Sequence, residues 1–281
     1  MMKILALDIG GTDVKYGYFG KDTEVFGKFS VIGSDGTESL PQNILKFINN
    51  FDVEHIGICA PGPFDFETGT SLMEHKLKSL YKISLRDIIK AEHPDTKITF
   101  IHDSTAFALG AICNNPKLKN EDFSTIMLGT GLGYAHAPYG KIEVNELERT
   151  KNPLWNIPYK EGIAEDYVSA TAIISRAKQL GYEFNNVLDI STASKNGDTI
   201  LKNLFYDVGK DMGMIVNARQ CEDRFAKLVI GGQVSLSWDL FKDGFENVCY
   251  ISYYVSDTPA TYAVMGVKYC VENGKENIYK R

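Results

Sequence analysis

The stretch LALDIGGTDVKYGYF, residues 5–19, sets the expectation for the fold. An apolar run ends in Asp8, two glycines and a threonine follow, and a second run begins at Val14. This pattern is typical of two antiparallel strands joined by a tight turn. Glycine allows close backbone approach and successive N–H groups form a concavity for anions, so the same turn also suits a phosphate. Taken alone, the pattern leaves both interpretations open.

Two similar glycine turns occur in the other half of the chain. DFSTIMLGTGLGYAHA, residues 122–137, predicts a strand, a Gly-Thr-Gly turn and a strand, and AKLVIGGQVS, residues 226–235, predicts a strand that ends in a glycine pair. Thr12 and Thr130 each add a hydroxyl donor. The repetition favours phosphate binding over simple chain reversal. None of these turns matches the P-loop or the dinucleotide-binding glycine pattern.

Composition excludes several classes of protein. A chain of 281 residues with 44% hydrophobic and 23% charged residues is long enough for two lobes of an ordinary globular protein. The net charge of −6 argues against a general nucleic-acid binder, and no apolar run is long enough for a membrane span. MMKILALDIGG does not resemble a signal peptide. The five cysteines are scattered and lack metal-site spacing, which predicts reduced thiols in a cytoplasmic protein.

Apolar periodicity predicts alternating strands and helices in both halves. Besides the strands around the glycine turns, strands are expected at 25–32, 55–62 and 97–103. Helices are expected at 39–51, 84–93 with Ser84 as N-cap, 104–115, 165–180, 191–220 as one or two helices, and 260–274, ended by Gly274. Residues 148–162 are predicted to form a long loop. The expected fold class is α/β, with two related lobes and a cleft between them.

The motifs together resemble the ROK family of sugar kinases, within the actin and hexokinase ATPase superfamily. DIGGTDVK resembles the first phosphate motif of that family, IMLGTGLGYA the second, and LVIGGQVS the adenosine motif. GICAPGPFD, residues 57–65, resembles the family's G-x-x-x-P-G-P-x-D segment, and IHDSTAFALGA resembles N-D-A-N-x-A-A-L-G. The helix 196–217 and the closing helix TYAVMGVKYCV also match. The resemblance runs nearly from end to end, in order.

The resemblance implies the two-lobed actin-like ATPase fold, which is ribonuclease H-like, with an interlobe cleft. The N-terminal lobe is expected to combine residues 1–113 and 258–281, and the C-terminal lobe to span 114–257. The implied activity is ATP-dependent phosphorylation of a sugar hydroxyl, on a hexose or an N-acyl hexosamine. The implied cofactors are ATP and Mg²⁺, and the implied assembly is a homodimer. Neither a nucleic acid nor a membrane is expected as a partner.

Phosphoryl transfer needs positioned phosphates, charge neutralisation and a base for the hydroxyl proton. By the resemblance, Asp103 is that general base; on the residues alone, it could equally cap the helix that follows. Asp8 is expected to hold Mg²⁺ through water. Asp13 and Asp65 are interpreted as turn or surface residues. The remaining residues expected to bind ATP and its phosphates are Gly10, Gly11, Thr12, Lys15, Gly129, Thr130, Gly131, Gly133, Gly231, Gly232 and Gln233.

The chain departs from the family at the sugar site and at the zinc motif. The family's G-E-x-G-H corresponds to NELER, residues 145–149, and its C-x-C-G-x-x-G-C-x-E to NIPYKEGIAE, residues 156–165. All of the zinc-ligand positions of that motif are replaced, so no zinc is expected, and Trp155 and Tyr159 are predicted to pack the loop instead. The residues expected to contact the substrate are Gly62, Pro63, His102, Glu146, Arg149 and Glu165.

Arg149 stands where the family has histidine, and His102 where it has asparagine. The fixed charge of Arg149 raises the hypothesis of a modified or acidic sugar. Two alternatives stay open. One is a non-catalytic sugar or nucleotide sensor, although the first phosphate strand begins at residue 3 and leaves no expectation of an N-terminal helix-turn-helix. The other is a kinase for a non-sugar polyol.

Overall fold

The computed structural model describes residues 2–31, 39–74 and 77–281. Ile32, the last residue of the predicted strand 25–32, and His75 lie outside the described residues. The chain divides into two compact units. The first unit combines Met1–Lys119, Lys141–Lys151 and Ala260–Arg281, and the second combines Asn120–Gly140 and Asn152–Pro259. Among the described residues, no helix has the length and apolar character needed to cross a lipid bilayer.

Both units combine strands and helices, and four consecutive helices separate the strands of the second unit. The strands are β1 (Ile4–Ile9), β2 (Asp13–Phe19), β3 (Glu24–Ser30), β4 (His55–Ala60), β5 (Phe64–Asp65), β6 (Thr70–Ser71), β7 (Lys97–His102), β8 (Phe123–Leu128), β9 (Leu132–Ala137), β10 (Ile142–Val144), β11 (Pro158–Tyr159), β12 (Gly162–Ile163), β13 (Lys227–Gly231), β14 (Ser252–Val255) and β15 (Ile278–Lys280). The helices are α1 (Leu40–Ile48), α2 (Leu85–Glu92), α3 (Asp103–Asn114), α4 (Glu165–Val168), α5 (Ala170–Gln179), α6 (Val187–Lys195), α7 (Thr199–Asp223), α8 (Trp238–Glu246) and α9 (Pro259–Asn273).

The first unit is built on a five-stranded sheet in the order β3-β2-β1-β4-β7. β1 pairs antiparallel with β2 and parallel with β4, which in turn pairs parallel with β7. Every residue of β1 is buried. A central strand covered on both faces needs a nearly continuous apolar run, which ILALDI supplies except at Asp8. The carboxylate of Asp8 is therefore placed in the core by the strand that carries it.

Helices α3 and α9 of the first unit meet through glycine. A Cβ on Gly266 would lie 1.7 Å from the carbonyl oxygen of Ala106, and one on Gly110 would lie 1.9 Å from that of Tyr262. Both positions require glycine, because backbone atoms occupy the space of a side chain. This close crossing fixes α3, whose first residue is Asp103.

The second unit has a four-stranded sheet in the order β14-β13-β8-β9. β8, β13 and β14 are parallel, and β9 returns antiparallel to β8. α7 packs on α8 with a close contact at Gly209, where a Cβ would lie 2.0 Å from the carbonyl oxygen of Phe241. Phe205, Phe225, Phe241 and Phe245 are buried in the core of this unit.

Most predicted elements form within one or two residues of the expected bounds. Ser84 caps α2 by accepting the Asp87 N–H at 3.1 Å, and Gly274, with φ +67°, follows the end of α9. The predicted helix 165–180 is interrupted, since Ser169 is extended and caps α5. The predicted loop 148–162 contains β11, which forms a small hairpin with β12. The sequence patterns do not indicate α8, β14 or β15.

The unit boundaries differ from the expected lobes at residues 114–119, 141–151 and 258–259, of which 141–151 is the longest segment. Residues 141–151 are expected in the C-terminal lobe, whereas the structure includes them in the first unit. The physical reason is a strand pairing: β10 pairs in parallel with β15 at the end of the chain. Arg281 reinforces this pairing by donating its N–H to the Val144 carbonyl at 3.1 Å and its guanidinium to Glu143 at 2.9 Å.

Candidate active site

The parallel strands of the first unit bring several predicted site segments to one edge of its sheet. β1, β4 and β7 run side by side in the same direction, so their carboxyl ends lie together. β1 is followed by residues 10–12, β4 by residues 61–63, and β7 ends at His102 before Asp103 begins α3. We call this the first-unit edge. Ligands of open α/β sheets bind at such edges.

Asp8 is held between two neighbouring strands. It pairs in register with Lys15 on β2 and with Cys59 on β4. The Lys15 ammonium lies 3.4 Å from one carboxylate oxygen, and the Cys59 thiol donates to the other at 3.4 Å. Burial raises the pKa of Asp8 above its ordinary value; Lys15 opposes the shift and the nearby charge of Asp103 adds to it. Burial and the charge of Asp8 also raise the pKa of Cys59, which keeps the thiol proton in place.

The two glycines of the turn after β1 differ in their surroundings, because only Gly10 lacks space for a side chain. A Cβ on Gly10 would lie 2.8 Å from the Asp13 carbonyl oxygen, which also accepts the Gly10 N–H at 3.1 Å. Gly11 faces open space, because a Cβ at this position would meet no atom within 4 Å. Gly11 and Thr12 are exposed. Asp13 forms an ion pair with Lys28 at 2.7 Å, in agreement with its interpretation as a surface residue.

Asp103 begins α3, and the residue before it caps that helix. His102 is the N-cap: its Nδ1 accepts the Ser104 N–H at 3.3 Å. The Asp103 carboxylate accepts the Ser104 N–H at 2.6 Å and the Ser104 hydroxyl at 3.2 Å. The alternative in which Asp103 is the N-cap is therefore not what the structure shows. Burial lowers the pKa of His102, with Asp103 opposing and Arg149 adding to the shift, so the imidazole is neutral at pH 7.

Arg149 reaches the first-unit edge from the turn after β10. Asn145 fixes this turn by accepting the N–H groups of Leu147 and Arg149 at 2.9 and 3.1 Å. A Cβ on Gly62 would lie 3.6 Å from Arg149 Nε and 3.6 Å from His102 Nε2. Gly62 thus lies beside both side chains. The Arg149 Nε is buried and has no hydrogen-bond partner in the described chain.

Two glutamates of the same turn have different surroundings. Glu146, expected to contact the substrate, is exposed. Glu148 has φ +56°, the left-handed region that favours glycine, which is the family's residue at that position. Lys275 forms an ion pair with Glu148, and Lys280 forms another at 3.1 Å. Burial raises the pKa of Glu148, but the two ammonium groups outweigh it and the net shift is downward.

The second unit carries the other two glycine turns at the carboxyl ends of β8 and β13. The Gly129 N–H donates to the Gly131 carbonyl at 3.0 Å, which closes the turn after β8. Gly232 has φ +87°, and a Cβ there would lie 2.2 Å from the Leu128 carbonyl oxygen. The two turns therefore pack against each other. Gly133 lies on β9, Gly231 ends β13, and Gln233 begins a short 3₁₀ turn.

Glu165 contacts the turn after β8 directly. Its carboxylate accepts the Leu132 N–H at 2.7 Å and would lie 2.4 Å from a Cβ on Gly131. A side chain at Gly131 would therefore displace the Glu165 carboxylate from this position. Thr171 supports the same turn by donating its hydroxyl to the Thr130 carbonyl at 3.1 Å.

The loop that precedes Glu165 is held by a buried carboxylate. Asp211 on α7 accepts from the Tyr159 hydroxyl at 3.0 Å, pairs with Lys160 at 2.5 Å and with Arg176 at 3.0 Å. Its side chain is 6% exposed. Tyr159 also packs edge-on against Tyr167. Trp155 is 45% exposed, so the prediction that it packs the loop is wrong, whereas Tyr159 does pack it. Among the described residues, no three His, Cys, Asp or Glu side chains form a group suited to a metal ion.

Replacing Asp211 with alanine is expected to lower the free energy of unfolding by about 2 kcal/mol, because Arg176 loses its carboxylate partner while partly buried. Urea unfolding measures this loss. Asp211→Asn keeps an acceptor for Tyr159 and isolates the contribution of charge. The matched control is Asp239→Ala, which breaks an exposed pair with Lys195 and is expected to cost less than about 1 kcal/mol. An equal loss in the two alanine variants would contradict a structural role for the Asp211 network.

Three residues of these sites were not predicted from the sequence: Cys59, Glu148 and Asp211. Glu148 could have been found, because a charged residue replaces a family glycine there. The partners of Asp211 lie 51, 52 and 35 positions away in the chain, so no local pattern could show them.

Comparison with known proteins agrees with this geometry. The ROK family model matches residues 4–143. A beta-glucoside kinase of Listeria innocua is 30% identical over 134 residues, which is 47% of this chain and 45% of that protein. A glucokinase of Thermotoga maritima is 24% identical over 245 residues, covering 81% of this chain and 73% of that protein. The match thus spans less than half of the length of the beta-glucoside kinase.

Solved structures share the fold. A ROK family glucokinase from Streptomyces griseus, in complex with glucose and AMPPNP, has a TM-score of 0.77 at 19% identity, covering 94% of this chain and 97% of that one. A ROK hexokinase from Thermus thermophilus has a TM-score of 0.72 at 17% identity, covering 97% and 100%. The predicted two-lobed α/β fold of the actin-like ATPases is confirmed. The family model over residues 4–143, the relatives and the fold all agree in their similarity to the ROK family.

Proposed function

We propose that this protein is an ATP-dependent sugar kinase. The observation that carries the proposal is the first-unit edge, where two carboxylates, Asp8 and Asp103, lie beside a glycine turn whose Gly11 faces open space. Their charges are near enough for Asp103 to raise the pKa of Asp8. Such a pair suits a phosphoryl-transfer site, which needs a base for the acceptor and a carboxylate for the metal. The beta-glucoside kinase and glucokinase relatives support the same activity.

In this proposal Asp103 is the general base. The hydroxyl oxygen of the sugar attacks the γ-phosphorus, the bond from phosphorus to the ADP oxygen breaks, and the hydroxyl proton passes to the Asp103 carboxylate. Ser104 orients that carboxylate through its N–H and hydroxyl. One carboxylate oxygen carries both of these hydrogen bonds, which leaves the other oxygen to accept the proton.

The phosphates and the nucleoside are proposed to bind the three glycine turns. Gly10, Gly11 and Thr12, with Lys15, contact the terminal phosphates from the first unit. The residues proposed to bind ATP in the second unit are Gly129, Thr130, Gly131, Gly133, Gly231, Gly232 and Gln233. The packing of Gly232 on Leu128 supports a joint role, because it couples the two turns of that unit.

Mg²⁺ fits the residues at the first-unit edge. Asp8 is a hard oxygen ligand whose ionised form is disfavoured by burial, and a cation there would offset that cost. We propose that Asp8 holds Mg²⁺ through water. When bound, the ion supplies neutralisation of the negative charge on the transferring phosphoryl group.

The acceptor is proposed to be a hexose or an N-acyl hexosamine. Its candidate contacts are Gly62, Pro63, His102, Glu146, Arg149 and Glu165. Three of them, Gly62, His102 and Arg149, lie together at the first-unit edge next to Asp103. That proximity supports a hydroxyl held beside the proposed base.

The test is ATP consumption followed by ADP release, with a panel of hexoses, N-acyl hexosamines, sugar acids and polyols. We expect turnover that depends on one class of sugar and that the Asp103→Ala variant lacks. Turnover with polyols alone would show that the acceptor is a polyol and not a sugar. Binding of Mg-ATP without turnover on any acceptor would contradict the kinase proposal and favour a sensor.

A further inference from the structure

Arg149 carries a charge that none of the described residues neutralises by an ion pair. Its Nε is buried without a hydrogen-bond partner, and no ion pair to its guanidinium occurs among the residues that the structure describes. The adjacent Glu148 is engaged by Lys275 and Lys280 instead. A buried N–H donor without an acceptor is costly in a folded protein. The missing partner is therefore expected to come from a ligand.

His102 lies at the same place. Its Nε2 and the Arg149 Nε lie at equal distances, 3.6 Å, from the Cβ position of Gly62. The Nδ1 on the other side of the ring lies 3.0 Å from Asp103 Oδ1 and 3.3 Å from the Ser104 nitrogen. One full positive charge, one N–H donor without a partner and the outer nitrogen of an imidazole thus converge beside a residue without a side chain. We call this group the Arg149 corner.

Neither Asp103 nor Glu146 forms an ion pair with Arg149 in the described part of the chain. Asp103 lies on the other nitrogen of the imidazole, with its Oδ1 3.0 Å from His102 Nδ1. Glu146 in the same turn is exposed. A neutral sugar hydroxyl could accept one hydrogen bond here but would leave the charge unpaired. A carboxylate or a phosphate accepts from the guanidinium fork through two oxygens and neutralises its charge.

We propose that the Arg149 corner binds an anionic substituent of the sugar, a carboxylate or a phosphate, and so selects an acidic sugar as the acceptor. This inference rests on the proposed kinase function. In it Arg149 determines specificity, and Asp103 keeps its role toward the hydroxyl. The anion and the reacting hydroxyl are therefore on different parts of the same sugar.

Isothermal titration calorimetry without ATP tests the binding directly. The probes are matched pairs: glucose with glucuronate, galactose with galacturonate, and glucose with glucose 6-phosphate. We expect at least one acidic partner to bind about tenfold or more tightly than its neutral counterpart, with the advantage reduced by raising the salt from about 50 to about 500 mM. Tighter binding of glucuronate or galacturonate identifies a carboxylate as the anion, and tighter binding of glucose 6-phosphate identifies a phosphate.

Variants assign the effect to the Arg149 corner. Arg149→Gln is expected to weaken the binding of the acidic sugar by a much larger factor than the binding of its neutral partner, so that most of the advantage is lost. Arg149→Lys keeps the charge but loses the fork, so it should recover only part of the advantage. Lys21→Ala is the matched control, because it removes one positive charge from an exposed position of the same unit. Thermal melting confirms that each variant is folded.

The outcomes separate this inference from the kinase proposal. Neutral sugars that bind as tightly as every acidic partner would overturn the inference, as would an equal effect of Arg149→Gln on both members of a pair. Turnover of neutral sugars alone would then leave the kinase proposal standing. Arg149-dependent binding of an acidic sugar that is never phosphorylated would support the inference and contradict the kinase proposal.

Discussion

Replacing Asp103 with asparagine is expected to lower kcat by about 10²–10⁴-fold, the usual contribution of a positioned general base. Asparagine keeps the size of the side chain and an oxygen that accepts the Ser104 N–H and hydroxyl, so α3 should begin as it does now. It cannot take the proton of the attacking hydroxyl. KM for the sugar and for ATP should change little, because the loss is confined to the transition state.

Steady-state kinetics on the best acceptor of the panel measure this loss. Asp65→Asn is the matched control, since Asp65 is also an acidic residue near glycines of the first unit but only accepts the N–H groups of Glu67 and Thr68. We expect its kcat to stay within about threefold of the wild type, as its hydrogen bonds lie within its own turn. A fall of less than about tenfold in Asp103→Asn would exclude a proton-abstracting role.

The first-unit edge was largely predictable because local signals and sheet topology agree there. β1 is an apolar run that ends in a polar residue and glycines, and such a run is what a central parallel strand requires. β4 and β7 are likewise followed by polar or glycine positions, Gly62 and Asp103 respectively. Once three parallel strands are recognised, their carboxyl ends must meet. The nearness of Asp8, Gly62 and Asp103 follows from that rule.

The sequence predicts the position of the second glycine turn, but it does not predict which residues contact that turn. The Gly-Thr-Gly pattern indicates a turn after β8, yet nothing local indicates that Glu165 fills the space beside Gly131. The resemblance assigns Glu165 to the substrate. The hydrogen bond from Leu132 to its carboxylate shows a structural role in the turn, which any substrate contact would have to share.

Long-range pairings of short segments escape prediction for a simple physical reason. β10 and β15 have three residues each, too few to show a period of two, and they are more than a hundred residues apart in the chain. Their pairing moves residues 141–151 into the first unit and brings Lys275 and Lys280 to Glu148. The position of Arg149 thus depends on the C-terminal strand, which composition and periodicity could not reveal.

Replacing Asp8 with asparagine is expected to separate stability from activity. Burial raises the pKa of Asp8 in the folded protein, so the folded state binds this proton more tightly than the unfolded chain does. By linkage, the stability contributed by this group is greatest below its unfolded pKa and falls as the pH rises toward the folded pKa. At pH 7 the ionised carboxylate therefore lowers the free energy of unfolding. Asparagine removes the charge and should raise that free energy.

Activity should change in the opposite direction. If Asp8 holds Mg²⁺, its loss removes several kcal/mol of charge stabilisation, which corresponds to a fall in kcat/KM for ATP of about 10²-fold or more.

Urea unfolding at pH 7 and at pH 4 should show a stabilisation that shrinks at the lower pH, where wild-type Asp8 is protonated more often. Asp13→Asn is the control, because it changes a partly exposed neighbour of the same turn. A variant that loses stability at pH 7 would show that Lys15 and Cys59 compensate the buried charge fully. A variant that is more stable but keeps wild-type kinetics would exclude Asp8 from the metal site. The inference that burial of the Asp8 charge destabilises the fold would still hold.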